Sequence, residues 1–450
     1  MADRATAKRG AAARQTAGRI AAPKRAIRRA PEREAGQETT LHVVRVPARR
    51  PKKDPAVAAR TSVILLLVSA ALLTTIGVVE VFSASSVYAF TNYDNSFWFL
   101  ERQAIYAAIG IGALLLTARM RYTAWRRMSG PLIVISVVLL LLALHPTAGS
   151  SVYGASRWIG LGPFTLQPSE FAKLALIAFT AAVLAQKEGK LDDWLHLALP
   201  LGPVVLLVAG IVMLQRDLGT TIVIVGSVLL MLFVAGARLR HLTVTGVIAL
   251  GGLAYLIFGT AYRRARFLSF FDPWKDPLRN GYQLIQGLIA LGSGGWFGVG
   301  LGASRQKWAY LPNAHTDFIF AVLGEELGLI GELVVLVAFG VMIYAGIRIA
   351  VRAPDTFGRL LAAGITSWIG LQAIVNLGAV TGLLPITGVP LPFVSFGGSA
   401  LIVTLGAVGV LASIARAGGG ARASTSRAAK KRRKEGAADR SRISTGRAPA

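Results

Sequence analysis

The chain contains no cysteine, which removes disulfides, thiolate metal sites and thiol nucleophiles together. Histidine is nearly as scarce, with five in 450 residues, and this counts against a His-rich zinc centre. Acidic residues number 22 against 49 lysines and arginines. The two ends lack periodic apolar residues. Between them, no stretch reads as a soluble domain. Hydrophobic residues make up 54% of the chain and mean hydropathy is +0.55. Apolar runs of about 18–20 residues recur, the length that spans a hydrocarbon core.

These runs predict an all-α integral membrane protein of about ten transmembrane helices. The expected spans are Ser62–Val81, Gln103–Ala118, Gly130–Leu144, Ser169–Ala185, Leu197–Leu214, Gly219–Val234, Leu242–Phe258, Asp317–Ile347, Leu360–Val380 and Ser395–Ile414. A large loop separates the seventh from the eighth. The net charge of +27 sits mostly in the tails: residues 1–60 carry +11 and residues 415–450 carry +9. Both tails are rich in Ala, Gly, Ser and Arg without apolar periodicity, which predicts disorder. The expected organisation is a basic tail over 1–60, a membrane domain over 61–415 and a second basic tail over 416–450. No signal peptide is apparent. The first apolar run starts far from the N-terminus and is long enough to remain as a span.

Loop charges predict the orientation. With both termini cytoplasmic, the inner short loops hold Arg119, Arg121, Arg126, Arg127, Lys187, Lys190, Arg238, Arg240, Arg348, Arg352 and Arg359. The outer short loops hold only Arg102, Arg157 and Arg216, as the positive-inside rule requires. The basic tails then contact anionic headgroups rather than nucleic acid. The polar stretches at Gly154–Ile159, Gln167–Glu170, Gln215–Gly219, 259–317 and Pro385–Ser399 all fall on the outer face, so any chemistry belongs at the outer leaflet.

The stretch from Gly292 to Glu326 carries the strongest signals. Its glycines predict a tight or re-entrant backbone, which at membrane depth must lie against protein or a cavity. They are not a dinucleotide fingerprint, because no βαβ unit surrounds them. Asp317 opens the next apolar run and reads two ways that are compatible: a helix N-cap, or a general base. Glu325 and Glu326 follow inside that run, where an ionised group costs about 2.5–3.5 kcal/mol even on the gentlest scale. They cannot share one direction, and at least one is expected to bond a neighbouring helix. Glu170 and Lys173 lie one helical turn apart. They form either an internal ion pair or, with Lys173 reaching outward, a phosphate site that Arg157 joins. Asp217 is expected as a local pair or cap. The loop cations Arg263, Arg264, Arg266, Lys275, Arg279, Arg305 and Lys307 alternate with aromatics, as an interfacial anchor or as a platform for a lipid-linked anion.

Taken as a set, Gly154–Ile159, Gln167–Lys173, Asp217–Thr220, Gly298–Gly302, Ser304–Lys307, Tyr310–Pro312, His315–Phe320, Glu325–Gly328 and Pro385–Ser399 closely resemble the SEDS family (shape, elongation, division and sporulation proteins). The resemblance spans about residues 60–415 and is nearest the cell-division branch, with the elongation branch second. It implies a ten-helix glycosyltransferase that polymerises lipid II into glycan strands at the septum, working with a class B penicillin-binding protein and other division proteins. It implies Asp317 as the essential acid and Lys173 as the family's lysine. Substrate contacts then fall to Lys173, Arg157, Arg305, Lys307, His315, Thr316 and Ser395. Glu170, Asp217, Glu325, Glu326, Gly397 and Gly398 support them. It further implies a divalent cation, Mg2+ or Mn2+, with no site visible in the sequence, and no nucleotide. Ala309 departs from relatives that carry Glu there, so that side chain is not required. Two rivals remain at this stage. A flippase predicts charges spread through the bilayer and paired broken helices, and a division scaffold predicts function residing in the tails.

Overall fold

The computed structural model describes residues 55–145, 149–152, 155–162, 164–189, 194–308 and 310–420. Nearly all of both tails, and with them Gly154, Lys190 and Ala309, lie outside the described residues.

Twelve α-helices are described: α1 (Pro55–Tyr93), α2 (Trp98–Arg119), α3 (Thr123–Leu144), α4 (Pro168–Gln186), α5 (Trp194–Leu214), α6 (Leu218–Ala235), α7 (Leu239–Phe258), α8 (Ala261–Phe271), α9 (Tyr282–Ser293), α10 (Ile319–Val351), α11 (Thr356–Val380) and α12 (Gly398–Gly420). Among the described residues, nine are long and apolar enough to cross a membrane. The tenth expected span is α5, whose described apolar part is the shorter Leu199–Leu214. The chain is a multi-pass helical membrane protein. α4, α11 and α12 form its buried centre, whereas α7 packs along α6 and α8 with no residue buried.

Local chemistry sets several boundaries. Pro168 occupies the first turn of α4, where a missing N–H costs nothing. Asp217 caps α6 by accepting the Thr220 N–H at 3.0 Å, and Gly236 ends it in the left-handed conformation. Asp355 caps α11 through the Gly358 N–H at 2.7 Å. α1 runs twelve residues beyond the expected end of the first span, because Ser83 to Tyr93 continue the helix with polar and aromatic side chains that hydropathy does not count.

The expected loops hold more structure than their composition suggests. The described residues between 149 and 166 hold a three-stranded antiparallel sheet, β1 (Gly149–Val152), β2 (Ala155–Leu161) and β3 (Phe164–Leu166). The 259–316 segment, expected as a long loop, holds α8, a 3-10 turn at Pro273–Lys275 and α9. The apolar and basic positions of α8 alternate at helical period, and its high charge keeps it out of a hydropathy window.

α10 is two helices. Gly328 takes φ 65° and ψ −167°, which breaks the run. The glycine loop expected to be re-entrant fills the break. Val299 N–H donates to Glu325 O at 2.9 Å and Gly300 N–H to Glu326 O at 3.0 Å. On the other side, Leu329 N–H donates to Gly295 O at 3.0 Å and Ile330 N–H to Trp296 O at 3.3 Å. Two carbonyls and two N–H groups freed by the break thus find partners in the loop, the condition for irregular backbone inside a membrane.

The β-sheet, the start of α6, the 300–317 segment and the 385–399 segment gather at one end of the bundle. At the other end, Arg352 Nη1 donates to Ala58 O at 3.0 Å and Gly419 packs on Ala59.

Candidate active site

Asp317 lies in the turn before α10, not in its cap. The cap residue is Phe318, which makes no side-chain cap bond, so the N-cap reading of Asp317 is corrected. The turn is fixed from below by buried Leu311, Ala314 and Phe318. It closes through Thr316 N–H to Asn313 O at 3.1 Å, with Asn313 at φ 57°. The Asp317 carboxyl is therefore free for other partners. Its Oδ1 accepts Thr316 Oγ1–H at 3.0 Å. Its Oδ2 faces Gly388: a Cβ on that glycine would stand 3.8 Å away.

Burial pushes the Asp317 carboxyl above the usual aspartate range. Its own backbone N–H, the Thr316 hydroxyl, Arg266 and Arg157 pull the other way. The result is a carboxylate more basic than one in water, in the field of two guanidinium groups. A proton acceptor of raised basicity is suited to general-base work.

The two arginines come from separate elements. Arg157 on β2 donates to Gln215 O at 3.3 Å and Arg216 O at 2.6 Å, and lies 3.8 Å from Asp217 Oδ2. Asp217 thus serves as both cap and ion-pair partner, with Arg157 rather than the adjacent Arg216. Arg266 on α8 donates to Gln283 Oε1 at 3.1 Å, and Gln283 Nε2 donates to Pro312 O at 3.2 Å. This ties α8 and α9 to the Asp317 turn.

His315 is not a cation here. Its ring lies among Phe99, Tyr88 and Phe396 with centroids at 4.6, 5.6 and 6.0 Å. Burial lowers its pKa to about 4, so it is neutral near pH 7 and works as an aromatic brace. Its carbonyl accepts Phe396 N–H at 3.0 Å, which joins the Asp317 turn to the 385–399 segment. Ser395, expected to meet substrate, is buried, and its Oγ accepts Leu391 N–H at 2.8 Å to close a turn. Gly397 O accepts Leu401 N–H at 2.9 Å at the start of α12. Gly398 lies flat on the Tyr106 ring, where a Cβ would stand 2.4 Å from ring carbons.

Lys173 has the ion-pair arrangement of its two readings. It is 2% exposed and donates to Glu170 Oε1 at 2.8 Å and Gln372 Oε1 at 2.7 Å. The outward-reaching phosphate ligand is corrected on this geometry: the ammonium is enclosed in the bundle, one layer below Asp317.

Glu325 and Glu326 hold the glycine loop. Glu325 accepts Ser304 Oγ–H at 2.5 Å and Arg305 N–H at 3.1 Å. Glu326 accepts Ser83 Oγ–H at 2.6 Å and Gly302 N–H at 2.9 Å. Glu326 is the acid that bonds a neighbouring helix, α1. Lys307 Nζ donates to Gly302 O on the same loop, and the Arg305 side chain is exposed. Glu80 of α1, buried near Glu326, has neither oxygen partnered among the described residues.

The structure thus brings Asp317, Thr316, His315, Arg157 and Asp217 to one locality and adds Arg266, Gly388 and Asn376. Asn376 was not singled out from sequence. A polar amide in an apolar helix was the available signal. For a resident divalent cation the donor set does not fit. Asp317 is a lone carboxylate, Glu325 and Glu326 are occupied by N–H and O–H donors, and among the described residues no group of three or more His, Cys, Asp or Glu could hold an ion.

Comparison with known proteins identifies the family. A profile of the cell cycle protein family that groups FtsW, RodA and SpoVE matches residues 63–418. Stage V sporulation protein E of Bacillus subtilis (strain 168) is 47% identical over 353 residues, 78% of this chain and 96% of that protein. The probable peptidoglycan glycosyltransferase FtsW of Geobacter metallireducens is 45% identical over 351 residues, 78% of this chain and 94% of that protein. Two solved structures align at 30% identity over 78% of this chain. One comes from work on the structural coordination of polymerization and crosslinking by a peptidoglycan synthase complex, with TM-score 0.65 and 96% of that chain covered. The other is the rod shape determining protein RodA of Thermus thermophilus, with TM-score 0.58 and 95% covered. With a profile match across most of its length and relatives above 40% identity, the chain belongs to the FtsW, RodA and SpoVE family of cell cycle proteins.

Proposed function

We propose that this protein is a peptidoglycan glycosyltransferase that polymerises lipid II at the outer leaflet, with Asp317 as general base. The observation that carries this reading is the buried Asp317 carboxyl, which accepts the Thr316 hydroxyl at 3.0 Å and feels the charges of Arg157 and Arg266. Asp317 takes the proton from the acceptor GlcNAc 4-hydroxyl. The oxygen attacks the donor MurNAc anomeric carbon from the face opposite the leaving group. The new C–O bond forms as the bond to pyrophosphate breaks, with inversion. The electron pair departs on undecaprenyl pyrophosphate, whose charge Arg157 and Arg266 are suited to meet. No nucleotide is required, because the substrate is already activated. No step is assigned to a metal ion, since the donor set does not fit one.

The division branch, the septal location and a class B penicillin-binding protein as partner extend this reading, supported by the FtsW relatives and by the synthase complex among the structural neighbours. Both described chain ends lie at the bundle end away from Asp317. With the positive-inside pattern, this supports cytoplasmic termini and a site at the outer leaflet. The test is polymerisation of purified lipid II by wild type and Asp317→Ala, each with and without the partner synthase. Polymer from wild type and none from the variant is the expected result. Polymer from both removes Asp317 from catalysis, and polymer from neither removes the polymerase reading.

A further inference from the structure

α11 carries a row of polar side chains beneath Asp317. Trp368, Gln372 and Asn376 recur every fourth residue, hence on one helical face, and each is at most 2% exposed. Asn376 Nδ2 donates to two carbonyls, Asp317 O and Val389 O, both at 2.8 Å. One turn away, Gln372 Nε2 donates to Pro390 O at 3.0 Å. Two successive carbonyls of the 385–399 segment are therefore held by carboxamides of α11. The residue before them is Gly388, the wall against the Asp317 carboxyl.

The orientation of Gln372 is set from the other side. Its Oε1 accepts Trp368 Nε1–H at 2.8 Å and Lys173 Nζ–H at 2.7 Å. Two donors on the oxygen force the amide nitrogen toward Pro390. Lys173 in turn is held by Glu170, and its ammonium lies 5.1 Å from the Trp368 ring. The chain of contacts runs from Glu170 through Lys173 and Gln372 to the loop, and Asn376 closes it onto the Asp317 backbone.

We propose that Asn376 and Gln372 are positioning residues for Asp317, and that Lys173 acts on the same carboxylate through Gln372 without touching substrate. This rests on the reading of Asp317 as the base. A misplacement of about 1 Å at a reacting group can cost about 100-fold in rate, and the row fixes both the Asp317 main chain and the wall its carboxyl faces. A positioning role and a phosphate-binding role for Lys173 separate experimentally. Lys173→Met strands the Glu170 carboxyl in the bundle. Adding Glu170→Gln removes that charge, which relieves the part of a positioning defect that the stranded carboxylate causes and does nothing for a lost phosphate contact.

The test is steady-state polymerisation of lipid II by full-length wild type, Asn376→Leu, Lys173→Met, Glu170→Gln/Lys173→Met and Asp317→Ala. Thermal unfolding in detergent and lipid II retention are measured for each. Asn376→Leu keeps the volume, and the double variant leaves no buried charge, so both remain informative if Lys173→Met does not fold. Expected are about 10- to 100-fold lower kcat with KM within about threefold for Asn376→Leu and Lys173→Met, and partial recovery of kcat in the double variant. Unchanged kcat in Asn376→Leu overturns the positioning role. A raised KM and weakened lipid II retention in Lys173→Met, without recovery in the double variant, overturns the assignment of Lys173. Polymer from Asp317→Ala overturns the base itself, whatever the row does. A silent Asp317→Ala beside an unaffected Asn376→Leu overturns the row alone.

Discussion

Gly298 and Gly328 meet backbone to backbone: a Cβ on Gly328 would stand 2.4 Å from Gly298 N. Both take positive φ, 77° and 65°. No side chain fits at either position without moving the loop out of the α10 break. Gly328→Ala and Gly298→Ala are each expected to destabilise by about 3 kcal/mol, since positive φ and overpacking each cost about 1–3 kcal/mol. Thermal unfolding in detergent checks this, with Gly295→Ala, whose Cβ meets nothing within 4 Å, as the milder comparison.

Glu326 gathers Ser83 of α1 and the Gly302 and Ser304 amides. Glu326→Ala leaves these donors without an acceptor and is expected to cost about 2–4 kcal/mol, while Glu326→Gln retains one acceptor oxygen and costs less. Protease nicking between residues 298 and 308 should accelerate in the alanine variant. Equal nicking in both variants would mean that the carboxylate does not hold the loop.

Asp317 gives a pH dependence with a defined sign. A raised carboxyl pKa contributes stability that is present below the ordinary aspartate value and is lost as pH rises through the folded-state value. At neutral pH, Asp317→Asn is therefore expected to raise the melting temperature while abolishing polymerisation, a trade between stability and activity. The acidic limb of kcat/KM should lie above the ordinary aspartate range. Arg266→Gln and Thr316→Val remove influences that lower the pKa, so each should move that limb to higher pH. A limb that moves to lower pH, or not at all, contradicts the assignment.

His315 predicts the opposite slope. Its folded-state pKa is lowered to about 4 from an ordinary value near 6.5. The stability it contributes is complete above about pH 6.5 and is lost as pH falls toward 4, on the order of 3 kcal/mol in all. His315→Phe keeps the aromatic contacts and should flatten that part of the stability profile. An unchanged slope would assign it to another group.

Asp317, Glu325 and Glu326 were legible in the sequence because an acid at or inside an apolar run has few innocent explanations. The re-entrant loop was legible from its glycines. What stayed hidden depends on direction rather than residue type. Spacing paired Glu170 with Lys173 but could not say whether the ammonium turned inward. Gln372 and Asn376 passed unnoticed because single polar residues hardly lower the hydropathy of α11. The 149–166 sheet and α8 were missed because short strands and a basic helix leave no long apolar run, and Asp317 as a cap failed by a single residue at the helix boundary.

Ala59 and Gly419 lie against each other, with a Cβ on Gly419 only 2.9 Å from the Ala59 side chain. Two segments of the same sign, one of net charge +11 and one of +9, therefore leave the bundle from nearly one point. An anionic surface that engages one holds the other at high effective concentration, so the pair binds with avidity beyond either alone.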